Sequence, residues 1–436
     1  PWFLQLLSIG SGAGTLDREW MVQQGDWDGD CGSWERWHDP AAQESVLYDR
    51  ANGTGPYRLV SWKKTEAVRL DANPNHWRKE PAWTGAPDGP AAIRHVVIET
   101  VPEWGTRYTR LKAGEADRID VPLPESKQLA DLVQTEYQGG DESAPATVVN
   151  PNGFLKLFRG YLVNSASAGM FNQRINSDAG TAYLGSGRLD GEGIPPDFFG
   201  DKHVRLGFNH CFDWDTYLKD GLQGEGIRQR GPIVKGEDGY EADAPIYDFD
   251  LKACEAELGQ AWDGQLPETG FKMTLAYLDG QVEFQLFCEI LADGLARVNP
   301  KYRLDSVKQE WPTLLDNMNN RRLPIATVGW YEDYHDASNW AFAYLHSRGT
   351  YGGLQGWPAE LAARLDGLVD QAAVETDAAR RKSLYAELQR LAMSEVTGIY
   401  LQQVLGRHYW RKEVEGSYVN SLVPGGYYAV LRKTGP

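Results

Sequence analysis

The stretch GFKMTLAYLDGQVEFQLFCEILADGLARVNPKYRLDSVKQE, Gly270 to Glu310, decides the fold class. Its first segment, GFKMTLAYL, is a short apolar run that reads as a strand. EFQLFCEILADGLARV follows with Phe284, Phe287, Ile290, Leu291, Leu295 and Val298 at helical spacing, which makes one face of a long helix apolar. YRLDSVKQE then reads as a second strand. Strand, helix and strand in that order predict a βαβ unit, because two parallel strands need such a crossover. The chain is therefore expected to be α/β.

The same alternation continues outward from this unit. Downstream, PTLLDNMNN reads as a helix, LPIATVGW as a buried strand, and Pro358 to Val374 and Asp377 to Ser394 as two helices parted by the capping-type run Glu375 to Asp377. GIYLQQVLG returns as a strand. Upstream, helices are expected at His203 to Asp213 and Asp250 to Gln260, and residues 160 to 200 read as a Gly-, Asn- and Pro-rich loop. Thr54 to Asn73 alternates as a strand pair with a turn around Lys63 to Glu66. Ile93 to Val101 is a further strand, and WGTRYTRLKAGEADRIDVP is a helix stopped by Gly114, with a short strand at Arg118 to Val121. Residues 122 to 158 hold another helix and strand, FRGYLVNSAS a strand crossing onward, and residues 1 to 50 a helix and an irregular acidic loop.

Composition narrows the function. At 436 residues the chain should divide into at least two lobes. A formal charge of -17 without a long basic run repels a phosphate backbone, so nucleic acid is excluded as a partner. The apolar opening PWFLQLL is far shorter than the roughly 20 residues a membrane span requires, and no later segment reaches that length, so no transmembrane span is expected. The 16 tryptophans leave aromatic surface to spare for recognition.

Reactive residue types form few convincing patterns. Cys31, Cys211, Cys254 and Cys288 are too far apart for a CxxC motif; the count allows one disulfide and not a framework, with Cys211 and Cys254, each on an expected helix, as the candidate pair. His203 and His210 lack a clear metal spacing, and no metal or cofactor is expected. Asp26, Asp28 and Asp30 have the alternation of a calcium loop, but Cys31 stands where the turn glycine belongs and Trp37 where the bidentate acid would be, so an acidic loop is the reading. GSGRLDG at Gly185 and GLQGEG at Gly221 do not join a strand to a helix as a phosphate cradle should. The paired acids Glu332/Asp333 and Asp213/Asp215 leave an enzyme with a carboxylate-lined cleft as the minority reading.

Five blocks in order carry a resemblance. GTGPYRLVSWKKTEAVRLDANPNHWRKEPA, VVIETVPEWGTRYTRLKAGEADRIDVP, HVRLGFNHCFDWDTYLKDGL, YDFDLKACEAEL and VETDAARRKSLYAELQRLAMSEVTGIYL resemble successive blocks of the family 5 extracellular solute-binding proteins, the receptors of oligopeptide and dipeptide ABC importers. The resemblance implies a two-lobed periplasmic-binding-protein-like fold, type II, with a hinge of two crossings near Arg159 to Val163 and Leu405 to Arg411. Residues 1 to 159, completed by 410 to 436, would form lobe one and residues 160 to 409 lobe two. Members usually begin with a further segment, so the N-terminal part of lobe one is expected to be absent here. The implied function is capture of short peptides for an ABC importer permease, without catalysis, in the periplasm or outside the cell, with lipid anchoring through a segment outside this chain as a variant. An oligosaccharide stacked on tryptophans is the alternative ligand.

The site this resemblance points to is GWYEDYHDASNW, Gly329 to Trp340, directly after the strand LPIATV. Peptide-binding members carry Trp-x-x-Asp-Tyr at this strand end, and here the match is Trp330, Tyr331, Glu332, Asp333, Tyr334. The resemblance assigns Asp333 to the α-ammonium of a bound peptide, since a carboxylate shut off from water pairs strongly with a protonated amine. Gly329 and Tyr331 would offer backbone groups to an extended peptide, and Trp330 and Tyr334 would wall the pocket. The competing reading makes Asp333 the cap of a helix at Ala337 to Leu345.

Overall fold

Two strands pass between two compact units. One unit ends at Tyr161 and resumes at Gly406, and the other is Leu162–Leu405. Tyr161 and Leu162 lie in strand β6 and Leu405 and Gly406 in strand β11, whose ranges are given below. The structure, a computed structural model, describes residues 17–38, 40–41, 44–81, 89–178, 180, 182–420 and 427–435. The expectations for the apolar opening and for residues 421–426 of the C-terminal tail lie outside them.

In the first unit, helix α1 (Arg18–Gln24) is capped by Asp17, and Gly25 ends it in the left-handed conformation. Strands β1 (Tyr57–Lys63), β2 (Ala67–Ala72) and β3 (His95–Glu99) form an antiparallel sheet, with the tight turn expected at Lys63 to Glu66. Helix α2 (Trp104–Ala113) stops at Gly114, again left-handed. The helix expected after Pro122 is a run of 3-10 turns, Leu123–Leu132. Strand β4 (Val133–Tyr137) pairs antiparallel with β5 (Ala146–Val148) and parallel with the start of β6 (Leu155–Phe171). The strand expected at Arg118 to Val121 does not form: Pro122 removes a donor, and the segment is held by a bond from the Arg411 amide to the Asp117 carbonyl and from Arg407 to the Val121 carbonyl. Its Ile119 still joins the core of Leu111, Leu129, Val133 and Leu155.

The second unit contains the βαβ unit. Its elements are α3 (Lys202–His210), β7 (Gly226–Arg228), α4 (Leu251–Gly264), β8 (Phe271–Leu278), α5 (Val282–Val298), β9 (Tyr302–Gln309), α6 (Trp311–Asn319), β10 (Ile325–Tyr331), α7 (Ala337–Leu345), α8 (Ala359–Val374), α9 (Ala378–Ser394) and β11 (Gly398–Arg411). β8 and β9 run parallel from Phe271↔Tyr302 to Leu278↔Gln309, with α5 between them in sequence. β10 pairs parallel with β8 and antiparallel with β6, and β11 pairs with β6 and β7. The chain is thus mixed α/β.

The loop expected from residue 160 begins later than its composition suggests, because β6 continues to Phe171. Ala166, Ala168 and Met170 are buried within it, and its small residues let neighbouring strands and helices close in. Regular helix in α4 ends at Gln260, since Ala261, Trp262 and Asp263 leave the helical region. Trp340 and Tyr344 of α7, Leu365 of α8, Tyr385 and Leu388 of α9 and Val328 of β10 share one core. A disulfide joins Cys211, at the end of α3, to Cys254 of α4 with a Cα–Cα distance of 5.4 Å. Cys288 is buried and free, its thiol pushed up to about 12 by burial, and Cys31 is exposed and free.

Candidate functional site

The end of β10 is the most elaborated part of the second unit. Ile325 to Val328 are buried, and the strand surfaces at Gly329. Its register sets Trp330 against Ala166 and Tyr331 against Ser165, and the Glu332 amide continues the pairing to the Asn164 carbonyl at 3.2 Å. Backbone groups along an antiparallel strand alternate between its two edges. Trp330 and Glu332 therefore bond toward β6, whereas Gly329 and Tyr331 turn toward the edge where β8 pairs only at Ala326↔Ala276. The Tyr351 hydroxyl donates to the Gly329 carbonyl at 2.7 Å, so that acceptor already has a partner.

After the strand, side chains diverge. Asp333 is exposed; its Oδ2 accepts from Asn339 Nδ2 at 3.1 Å, and its amide donates to Asn339 Oδ1 at 3.3 Å. The same Asn339 Oδ1 takes the indole N–H of Trp330 at 2.7 Å. A buried asparagine on α7 thus orients both residues. Trp330 meets the Tyr351 ring edge-on at 5.6 Å. Tyr334 is half-buried with its hydroxyl 3.2 Å from Ser338 Oγ, and burial raises its pKa.

Asp333 does not cap the next helix. Asp336 does, its Oδ1 accepting from the Ser338 amide at 2.8 Å. Asp336 also receives Arg381 in a two-pronged ion pair, with bonds of 2.7 and 2.9 Å. Burial raises the Asp336 carboxyl pKa, but the bonds from Arg381 and Ser338 outweigh it and leave the carboxyl below the usual range. The cap is three residues later than the competing reading placed it because the chain after β10 turns before the helix starts.

Glu332 and Asp333 are not a working acid pair. Glu332 is turned inward, its side chain only 1% exposed, and accepts from Trp340 Nε1 at 3.3 Å and from Asn164 Nδ2. His335 Nδ1 lies 3.3 Å from Glu332 Oε1 and 2.7 Å from Oε1 of Glu237. Burial, then the neighbouring Glu332, pushes the Glu237 carboxyl well above the usual range. Asn164, Glu237 and Tyr351 were not legible as site residues in the sequence, each being a single polar residue in a segment without a motif; Asn339 lies within the quoted stretch, but nothing in its spacing gave it a role.

The other sequence candidates have local roles. Asp28 and Asp30 cap the turn at Gly32 and Ser33, while Asp26 holds Ser45 and Val46. Asp213 accepts from the Asp215 and Thr216 amides, and Asp215 pairs with Lys219. His203 meets Glu257, and His210 meets the Asp248 carbonyl. In GSGRLDG, Asp190 closes the loop on Ser186 and the Glu192 amide.

A sequence profile of the bacterial extracellular solute-binding proteins, family 5 Middle, matches residues 23–352. The chain belongs to this family. Among curated relatives, heme-binding protein A of Haemophilus influenzae is 23% identical over 389 residues, covering 89% of this chain and 60% of that protein. A probable D,D-dipeptide-binding periplasmic protein of Escherichia coli is 22% identical over 381 residues, covering 86% and 62%. The chain therefore spans about three fifths of the length of these relatives. Among solved structures, a dipeptide-binding protein from Pseudoalteromonas in complex with Met-Leu superposes with a TM-score of 0.64 at 18% identity, covering 96% of this chain and 69% of that one. The fold is that of the ABC substrate-binding proteins. The family consists of extracellular solute receptors rather than enzymes, and no helix among the described residues is long and apolar enough to cross a membrane. The oligosaccharide alternative finds no support in these relatives.

Proposed function

We propose that this family 5 protein is an extracytoplasmic receptor that captures short peptides for an ABC importer permease, with Asp333 holding the peptide's α-ammonium. One observation carries this reading: Asp333 is an exposed carboxylate whose Oδ2 is fixed from behind by the buried Asn339, with the half-buried Trp330 and Tyr334 beside it in sequence. Fixing a charged group before the ligand arrives lowers the ordering cost of binding. The Gly329 amide and the backbone of Tyr331 turn toward the edge of β10 beyond its pairing with β8, where an extended peptide would gain affinity without its side chains being read, while the Gly329 carbonyl is held by Tyr351. The dipeptide-binding names among the relatives support the same ligand class.

The test is a four-way calorimetric cycle of wild type and Asp333→Asn, each with free and N-acetylated trialanine. Asp333→Asn keeps the shape and removes the charge. With the ion pair shut off from water in the complex, the substitution should weaken binding of the free peptide by about 2–5 kcal/mol. Acetylation should weaken binding to the wild type and have a much smaller effect on the variant, because the missing charge no longer has a partner. Additive losses without coupling would sink the assignment.

A further inference from the structure

We propose that Glu237, Glu332 and His335 form a binding site for one divalent first-row transition-metal cation of the kind that takes mixed nitrogen and oxygen ligands, with Zn2+ as its probe. The site goes beyond peptide recognition and does not rest on it.

Its donors converge from two separate parts of the chain. Glu332 and His335 follow β10, and Glu237 sits in a turn in which its amide donates to the Val234 carbonyl and its carbonyl accepts from the Tyr240 amide. One donor atom from each of the three lies within 4.8 Å of the others. The imidazole Nδ1 is 2.7 Å from Glu237 Oε1 and 3.3 Å from Glu332 Oε1. Nitrogen and oxygen ligands sit about 2.0–2.2 Å from zinc, so neighbouring donors on one ion are roughly 3 to 3.5 Å apart. A cation between these groups therefore needs only a small outward adjustment of the Glu237 carboxylate.

An acidic cluster alone would not make a site. Glu237 supplies the second observation. Its side chain is 3% exposed, and its Oε1 is shut off from water with no well-aligned hydrogen bond, the imidazole Nδ1 lying 2.7 Å away. A buried carboxylate oxygen left so is costly unless a cation or proton meets it. The nearby guanidinium of Arg381 does not serve, because Asp336 takes both its prongs and Tyr385 receives a further bond.

The surroundings suit a metal ligand set. Trp340 Nε1 fixes Oε2 of Glu332, and Asn164 Nδ2 approaches Oε1, so this carboxylate is oriented by neighbours outside the donor set. His335 is 42% exposed and gives the ion a way in from solvent. One imidazole with two carboxylates favours zinc-like ions over magnesium or calcium, which prefer all-oxygen shells.

The experiment titrates ZnCl2 into untagged, chelator-stripped protein near neutral pH in a non-coordinating buffer, followed by calorimetry. One equivalent should bind, and Glu237→Gln and His335→Gln should each weaken it at least about tenfold. His203→Gln, which breaks the separate pair with Glu257, should leave the affinity unchanged. Thermal unfolding with and without zinc gives an independent readout: binding to the native state must raise the midpoint of the wild type and not of His335→Gln. If Glu237→Gln does not fold, the solvent-facing His335→Gln still decides. No saturable binding, or binding equally strong in both site variants, overturns the proposal; so does a loss of affinity in His203→Gln equal to that in His335→Gln.

Discussion

Asn339 and Asp333 grip each other twice: the asparagine amide nitrogen donates to the carboxylate at 3.1 Å, and its oxygen accepts from the Asp333 backbone amide at 3.3 Å. The pairing ties an exposed charge to a buried residue of α7, and the Trp330 indole shares the same oxygen. Asn339→Ala removes all three bonds without touching the carboxylate. Peptide affinity is expected to fall by about 1–2 kcal/mol, chiefly through lost orientation of Asp333 and Trp330. Calorimetry with free trialanine checks it. Unchanged affinity in a folded variant would show that Asn339 does not orient the carboxylate for a ligand.

Asp336 has two jobs that one substitution separates. Asp336→Asn still caps α7, because asparagine caps about as well as aspartate, but it leaves the Arg381 guanidinium buried against a neutral partner. The two side chains are 9% and 11% exposed, so the expected loss is about 3–5 kcal/mol by denaturant unfolding. Arg381→Met in the same chain should restore much of it. Since the native Asp336 pKa is lowered, its contribution is present above the ordinary carboxylate range and fades as pH falls through the lowered value.

The Cys211–Cys254 bond closes a loop between residues 43 apart. Loop-closure entropy in the unfolded chain then predicts that replacing both cysteines by serine costs roughly 4 kcal/mol. Equilibrium unfolding of oxidised wild type and the double variant measures it. The gap should vanish when the wild type is unfolded under reducing conditions, and a gap that persists would mean that the serines disturb packing instead.

His408 sets an acid limit on the first unit. It stacks on Phe158 at 4.8 Å, with Tyr161 Oη 3.0 Å from Nδ1 and Ser417 Oγ 2.9 Å from Nε2. Burial, then the charge of Arg118, pushes its pKa down to about 3. In the unfolded chain it titrates near 6.5, so below about pH 6.5 the unfolded state binds a proton that the native state refuses. Its stabilising contribution is complete above that value and is lost as pH falls toward the native pKa. Between pH 7 and pH 5 the wild type should lose about 2 kcal/mol from this residue, and His408→Gln should lose that much less. Identical pH slopes for the two proteins would refute it.

Much of the local architecture was legible from residue pattern alone. The apolar face of Val282–Val298, the flanking parallel strands and the capping run ending at Asp377 follow from spacing and from side chains that reach their own backbone. The strand expected at Arg118 to Val121 failed for a local reason, the missing donor of Pro122. The long extension of β6 failed for a tertiary one, since its small residues read as loop until neighbouring elements bury them.

The sequence by itself determined the α/β class, the order of elements and the motif from Gly329 to Trp340, because these depend on periodicity and on residues close together in the chain. Only the tertiary structure decided what the motif's acids do. The register of β10 against β6 brings Asn164 to Glu332, a separation of 168 residues. The same packing sends Glu332 inward to Trp340 and His335, leaves Asp333 outside on Asn339, and gives the cap to Asp336. Three carboxylates within five residues are chemically alike in the chain. They differ in the fold because burial and partner, neither of which a local pattern encodes, set the cost and the use of a charge.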